Sequence, residues 1–387
     1  MKIPVQKTFR ISLHVKIEKR LVISKWVLIL VPTLSTLLGI ILGALIFPIM
    51  GVSPFKVYSI IIRVITDPRS FTNAIELSIP IMFTSLALAL PFRMAFYNIG
   101  GEGQFELGAI GAMIPIILYW SGLDLPSPIF IPSMFILAFL LGGIWGFIPA
   151  VLKAKWKVNE ILVSLMLNIV SLQIIWYLVS PGGPWNEANP CFKKRYLAYL
   201  KELGVHIIPG FKGTPVVPEF VRVPKIPGVN VNVCILIAII AAIILYMVLT
   251  RTILGYEVKV VGESELAAQY AGINYFKLAT VTMFISGGLA GLGGFSVISS
   301  YMPKLSPEIA SPGYGYTGII VVWLSRLNPL ACVLVSILFG ILTRSAYIMQ
   351  QELKISHYVS LSFEGLIFIL LVIGEFFINY RIKVLKR

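Results

Sequence analysis

Apolar runs long enough to cross a bilayer recur along almost the whole chain, and they restrict its fold more than any other feature. A helix that crosses the hydrocarbon core needs about 20 mainly apolar residues, because each residue advances it by about 1.5 Å. Charged residues make up only 13% of the composition. The sequence therefore predicts an all-α fold, a polytopic bundle of transmembrane helices.

The runs predict about ten crossings, one of them a short or broken helix. Residues 315–324 are too few to cross alone, so we expect them to form a half helix buried in protein. Residues 51–69 hold a shorter, charged run that predicts an amphipathic segment at the outer interface. The crossings are residues 26–47, 73–90, a segment ending at 120, 129–152, 161–179, 232–249, 278–299, 315–324, 329–347 and 358–377.

Lysine and arginine lie at the ends of these runs and in the tails, and they account for the formal net charge of +15. Such residues mark cytoplasmic segments and contact anionic lipid. We therefore expect both termini in the cytoplasm, and membrane lipid rather than nucleic acid as the partner of this charge. The predicted parts are a basic tail (1–25), one transmembrane domain (26–380) with an outer loop (181–231) and a cytoplasmic loop (251–277), and a basic tail (381–387).

Catalytic and metal-binding spacings are missing from the sequence. It contains no GxxxxGK[ST], HExxH or GxSxG motif, and its three cysteines and three histidines are scattered without a CxxC pair. We therefore predict no catalytic residue, no metal, no cofactor and no ATP site in this chain. Acidic residues inside the apolar runs could form a proton relay or could be satisfied structural groups. These are Glu76, Glu102, Glu106, Glu364 and Glu375.

Residues 91–112, PFRMAFYNIGGEGQFELGAIGA, combine glycines with polar side chains between two apolar runs. Polar groups at a membrane boundary need partners or water. They either face the interior of the bundle or a cavity, or they form a tight solvated turn at the interface. The candidates for a substrate pathway are Asn98, Glu102 and Gln104, followed by Asn168 and Gln173 within the run 161–179.

The loop 251–277 contains ESELAAQYAGI, which predicts a short helix. Acidic residues in its first turn, alanines inside it and Gly272 near its end all favour helix. The helix could lie on the membrane, but its mixture of acidic, amide and aromatic side chains is more typical of a docking face.

Three stretches of the chain resemble one family of bacterial membrane proteins. FYNIGGEGQFELGAIGA is similar to the NIGxEGQ signature of the ABC-importer permeases that serve basic-membrane-protein-type lipoproteins and nucleosides, which are relatives of the ribose permeases. Gly101 stands where that signature usually has alanine. VVGESELAAQYAGINYFK resembles the cytoplasmic loop of the same family, and GYGYTGIIVVWLSRLNPL resembles its Gly-Tyr-Gly and Asn-Pro pattern.

The resemblance implies a permease subunit of an importer in the bacterial cell membrane that carries nucleosides. ATP would be hydrolysed on a separate ATPase subunit, a second permease subunit, identical or paralogous, would complete the pathway, and an extracytoplasmic lipoprotein would deliver substrate. The helix 263–272 would couple the permease to the ATPase through Glu263, Glu265, Ala267, Ala268, Gln269 and Gly272. The alternatives are the same machine for a simple sugar such as ribose, and an ion-coupled secondary transporter, which would need essential intramembrane acids and no ATPase.

Overall fold

A computed structural model describes residues 51–123, 126–202, 204 and 212–354, the terminal segments 13–19 and 380–386, and scattered positions in 24–48 and 362–378. The chain divides into two compact units, one of residues 63–345 and one of residues 1–62 with 346–387. The helices are α1 (Pro54–Thr66), α2 (Pro68–Arg93), α3 (Gly101–Trp120), α4 (Ser127–Trp156), α5 (Glu160–Val179), α6 (Pro190–Glu202), α7 (Cys234–Arg251), α8 (Ile253–Glu263), α9 (Glu265–Tyr270), α10 (Tyr275–Ile298), α11 (Tyr314–Leu324) and α12 (Pro329–Leu353).

Seven of the described helices are long and apolar enough to cross a membrane, namely α2, α3, α4, α5, α7, α10 and α12. The predicted crossings 26–47 and 358–377 fall largely outside the described residues. A helical membrane protein is thus confirmed, whereas the count of ten crossings and the cytoplasmic position of the termini stay predictions.

The centre of the unit 63–345 is built from α2, α3 and α10. In the most apolar window of each helix, 94% of the residues are buried in α2, 83% in α3 and 78% in α10, against 22% in α5 and 28% in α7. A helix that is apolar on all sides is stable either inside a protein or against lipid. The sequence therefore marks all five as spans, and only their packing separates central helices from peripheral ones.

Backbones approach closely where α3, α4 and α10 meet, because glycines face one another. A Cβ added to Gly108 would lie 2.1 Å from the Cα of Gly291, and one added to Gly142 would lie 2.3 Å from the carbonyl oxygen of Gly287. A Cβ at Gly294 would lie 2.2 Å from the oxygen of Phe105. Small residues at helix contacts let helices pack closely in membranes.

The short helix α11 confirms the half helix expected at 315–324. Its 11 residues span about 16 Å at about 1.5 Å per residue, roughly half of the hydrocarbon core. It rests on α2 and α3: Thr84 Oγ1 donates to the carbonyl of Tyr314 over 2.9 Å, and a Cβ at Gly315 would lie 2.2 Å from the nitrogen of Glu102.

Within the predicted outer loop 181–231, residues 181–202 and 212–231 form an ordered cap over the ends of α3 and α10 rather than an open loop. It contains α6 and a 3₁₀ turn at Glu219–Val221. Its backbone bonds to the segment after α10, with Thr214 N to Leu305 O at 3.0 Å and Val217 N to Pro303 O at 2.8 Å. Buried apolar side chains in the cap, which the polar composition of this section concealed, hold it in place.

The predicted helix 263–272 is two helices, and this corrects its boundaries. Ser264 interrupts the helix with extended backbone, φ −160° and ψ 114°, and its side chain accepts from Ala267 N as the N-cap of α9. Serine is a preferred N-cap because its oxygen satisfies a free N–H of the first turn. Glu263 therefore ends α8, a helix that the sequence analysis did not predict.

The all-α fold predicted for the membrane bundle is confirmed, and the terminal tails add a short pair of strands to it. Strand β1 (Leu13–Lys19) pairs antiparallel with β2 (Tyr380–Lys386), and Leu13 lies opposite Lys386. The paired residues are more than 360 positions apart in the chain, from Lys19 and Tyr380 to Leu13 and Lys386, so no local pattern could indicate the pair.

Candidate functional site

The segment between α2 and α3 folds around two amide side chains. Asn98 Nδ2 donates to Gln104 Oε1 over 3.0 Å, and Gln104 Nε2 donates back to Asn98 Oδ1 over 3.2 Å. Asn98 also donates to Ser286 Oγ over 3.3 Å and accepts from Gly100 N over 2.9 Å. Both amides are fully buried, and their mutual pairing offsets the cost of that burial.

Asn168 of α5 joins this segment to two helices. Its Oδ1 accepts from Gly103 N over 2.9 Å, and its Nδ2 donates to Ile99 O over 2.9 Å and to Tyr316 Oη over 3.2 Å. A Cβ at Gly103 would lie only 2.9 Å from Asn168 Oδ1 and 2.8 Å from Ser171 Oγ. A side chain at position 103 would collide with the oxygen that accepts the hydrogen bond from Gly103 N, so this hydrogen bond requires glycine here.

Two carboxylates lie one turn apart on α3 and point into the same cluster. Glu102 Oε2 accepts from Gly315 N over 2.6 Å, and Glu106 accepts from the hydroxyl of Ser171. Gly315 lies in the first turn of α11, where free N–H groups and the helix dipole favour a negative charge. In the described part of the chain, Glu102 Oε1 and Trp145 Nε1 are buried without a hydrogen-bond partner.

We expect Glu102→Gln to preserve the fold and Glu102→Ala to lower the melting temperature of the purified protein. Glutamine retains a carbonyl oxygen for Gly315 N–H, whereas alanine leaves that buried donor unsatisfied at a cost of about 1–3 kcal/mol. Thermal unfolding in detergent measures both variants. Glu308→Ala, at an exposed glutamate, is the matched control and should unfold like the wild type. Equal melting temperatures for Glu102→Gln and Glu102→Ala would contradict the anchoring of α11.

Four of the five predicted pathway residues meet in this cluster: Asn98, Glu102, Gln104 and Asn168. The expectation that Gln173 also faces the interior is wrong. The buried face of α5 repeats every three or four residues, and Gln173 lies on the opposite, exposed face. The buried positions are Ser164, Asn168, Ser171, Ile175 and Val179.

Sequence reasoning missed the partners Ser171, Ser286 and Tyr316. The helical period counted from Asn168 could have found Ser171, but nothing local indicates the other two. Tyr316 has 44% of its surface exposed while its hydroxyl is bonded to buried Asn168. It is therefore the place where the cluster reaches the surface of the bundle.

The helix α9 presents most of the predicted coupling residues outward. Ala267 and Gln269 are exposed, as are Leu266 (67%) and Tyr270 (92%). Gly272 adopts φ +76° just beyond the helix end, as its position in the sequence predicts. Ala268 is only 2% exposed, so it supports the helix from below and does not belong to the exposed face.

Among the residues that the structure describes, no group of three or more histidine, cysteine, aspartate or glutamate side chains could hold a metal ion. Cys191 is exposed, and Cys234 and Cys332 are buried free thiols. The polar groups of the cluster around Asn98 and Asn168 are amides, hydroxyls and carboxylates. These groups are suited to hydrogen bonding with a polar solute.

Residues 70–373 match the sequence family described as "Branched-chain amino acid transport system / permease component". The chain is 28% identical to the glucose ABC transporter permease protein TsgB13 of Haloferax volcanii, covering 96% of this chain and 94% of that protein. It is 27% identical to the nucleoside ABC transporter permease protein NupB of Lactococcus lactis (82% and 84% covered). It is 30% identical to the guanosine ABC transporter permease protein NupP of Bacillus subtilis (84% and 87% covered).

Proposed function

Because this chain belongs to the family of branched-chain amino acid transport system permease components, we propose that it forms the translocation pathway for nucleosides in an ABC importer. Membership of the nucleoside and simple-sugar branch, inferred above from NIGGEGQ and two further stretches, is confirmed by the relatives. The chain is a multi-pass membrane protein and a transporter subunit. We assign it to the bacterial cell membrane as part of the proposal.

The buried polar cluster is the observation that carries the proposed pathway. Burying amide or carboxylate side chains at membrane depth costs free energy, and such residues mark substrate routes in membrane proteins. A short helix whose N-terminus faces such a cluster is a recurrent arrangement at transporter substrate sites. Here α11 begins against Glu102, and Tyr316 exposes its ring beside Asn168. Amide, hydroxyl and carboxylate groups can exchange their present bonds for bonds to ribose hydroxyls and base edges.

The energy source is a separate ATPase subunit that docks on α9. The sequence contains no ATP-binding motif of its own, and α9 presents Leu266 and Tyr270 to the outside. A docked ATPase can move this helix as a rigid body when it binds nucleotide.

Two further partners complete the proposed importer. A substrate-binding lipoprotein docks on the ordered cap within 181–231, and a second permease subunit packs on the face of the bundle that carries Tyr316.

A sugar is the second candidate substrate. The relative named for glucose covers 96% of this chain, and a fold does not determine the ligand. Ribose and hexoses share the ring hydroxyls of a nucleoside but lack the base. An ion-coupled carrier is the third candidate, because Glu102 and Glu106 are buried neighbours.

Uptake by the reconstituted complex separates these candidates. The permease would be placed in vesicles with its ATPase and lipoprotein, and labelled uridine and adenosine would be offered with ribose or glucose in excess. We expect uptake that stops when the ATPase is inactivated, survives an uncoupler and ignores both sugars. Competition by a sugar would show that the substrate is a sugar rather than a nucleoside. Uptake driven by the proton gradient would show that the chain is a secondary carrier.

We expect Tyr316→Ala to raise the half-saturating nucleoside concentration about ten-fold, because stacking of a base on an aromatic ring contributes about 1–3 kcal/mol. The measurement is the concentration dependence of ATP-driven uptake. Tyr177→Ala is the control, since Tyr177 lies on the outward face of α5 and is also exposed. An unchanged half-saturating concentration in Tyr316→Ala would remove this ring from the pathway.

A further inference from the structure

Lys157 lies in the turn between α4 and α5 and contacts the first residue of α9 and the first residue of α10. Its Nζ lies 2.5 Å from Oε1 of Glu265, the first residue of α9. The same ammonium lies 5.0 Å from the centre of the Tyr275 ring, at the first residue of α10. One cation thus contacts the first residue of the exposed helix α9 and the first residue of α10, the helix that follows it.

The turn that carries Lys157 is itself rigid. Lys157 ends α4 in the left-handed conformation, with φ 55°. Asn159 caps α5 by accepting from the N–H groups of Ile161 and Leu162. Lys153 forms an ion pair with Glu160 across the turn. A turn fixed by two caps and an ion pair transmits displacement rather than absorbing it.

The same turn is joined to the polar cluster by two routes. The ammonium of Lys153 lies 4.6 Å from the centre of the Phe96 ring, two residues before Asn98. The helix α5 continues from the turn and places Ser164 against Ile99 N, at 3.1 Å, and Asn168 against Gly103 N. Displacement of the turn therefore displaces the groups that hold the first turn of α3.

The contact between α8 and α2 is of a different kind from the ion pair of Lys157. A Cβ at Gly262 would lie 2.1 Å from the carbonyl oxygen of Arg93, so the backbone of α8 is in direct contact with the backbone at the end of α2. That contact restrains the segment before α9, whereas the ion pair of Lys157 joins α9 itself to the turn.

We propose that Lys157 is a positioning residue that transmits movement of α9, through the rigid α4–α5 turn, to the cluster around Asn98 and Asn168. The inference rests on the proposed function, in which an ATPase moves α9. Lys157 and Glu265 are both solvent-exposed, with 64% and 40% of their side-chain surface accessible. An exposed ion pair contributes little to the free energy of unfolding, so the pair can be broken in a folded protein.

The test is a charge exchange in the full complex of permease, ATPase and lipoprotein. The variants are Lys157→Glu, Glu265→Lys and the double exchange. The control is Lys155→Glu, because Lys155 lies over Trp156 and has no ion pair among the described residues. The readout is the rate at which a maleimide labels Tyr316→Cys, with and without ATP, and the complex that carries Tyr316→Cys without a charge exchange is the parent. A Cys191→Ser background removes the exposed thiol, and Cys234 and Cys332 are buried.

We expect ATP to change the labelling rate in the parent and in Lys155→Glu. In each single exchange the change should shrink about five-fold, and the double exchange should restore it, since the pair is re-formed with reversed polarity. The ATPase should co-purify with all four variants, because Leu266 and Tyr270 remain exposed. Loss of co-purification in Lys157→Glu would show a structural role and overturn the proposal.

Three other results would also overturn it: an undiminished ATP response in Lys157→Glu, no recovery in the double exchange, or no ATP response in the parent. The labelling readout does not depend on which solute is carried. Failure of nucleoside uptake would therefore count against the proposed substrate, and failure of the charge exchange would count against Lys157.

Discussion

Replacement of Ala267 by tryptophan is expected to abolish ATP-driven uptake while the permease remains folded in the membrane. Ala267 lies on the exposed face of α9, between Leu266 and Gln269. An indole at this position projects outward and collides with whatever docks there, without meeting the bundle. Gly272→Val should act in the same direction, because a φ of +76° is unfavourable for a branched L-residue by about 1–2 kcal/mol.

The measurements for Ala267→Trp are uptake by the reconstituted complex, co-purification of the ATPase and thermal unfolding of the permease alone. Ala198→Trp makes the same change at an exposed position of α6, on the ordered cap. It should leave co-purification of the ATPase unchanged. Normal uptake by Ala267→Trp would contradict docking on α9. A lower melting temperature would show instead that the substitution disturbs the bundle.

Gly108→Ala is expected to remove most of the folded protein. The added methyl group would lie 2.1 Å from the Cα and 2.3 Å from the carbonyl oxygen of Gly291. A backbone cannot turn aside as a side chain can, so α3 and α10 must separate and lose contacts along their whole length. Overpacking of a core costs about 1–3 kcal/mol and sometimes more, and we expect a cost at or above the upper end.

The amount of monodisperse protein after gel filtration and its melting temperature measure the effect of Gly108→Ala. Gly365→Ala is the matched control, because its methyl group would meet nothing within 4 Å. Gly288→Ala should be intermediate, since its nearest neighbour is the ring of Phe139 at 2.4 Å, which can change rotamer. Equal yields for Gly108→Ala and Gly365→Ala would contradict the glycine contact.

Helix positions were largely predictable because hydrocarbon length and backbone hydrogen bonding act locally. The run 161–179 became α5 (Glu160–Val179), and the segment ending at 120 became α3 (Gly101–Trp120). The break at Ser264 was also visible in principle, as a serine three residues before an alanine-rich turn. It was missed because acidic residues on both sides of it favour a helix start equally well.

Contacts between distant residues could not be read from the chain. Gly103 and Asn168 are 65 positions apart, and Glu102 and Gly315 are 213 apart. Gln173 and Asn168 look alike as polar residues in one apolar run, yet helix rotation places them on opposite faces of α5. The pairing of β1 with β2 belongs to the same class of long-range contact.

By itself the sequence determined a helical membrane protein, its family, and a polar stretch that had to find partners, because length, charge distribution and motifs are properties of neighbouring residues. Only the tertiary structure decided which amide pairs with which, that Glu102 anchors α11, that Ala268 is buried, and that Lys157 joins α9 to the α4–α5 turn. Those facts depend on how helices rotate and approach one another, and the free energy that sets rotation and approach comes from packing across the whole bundle.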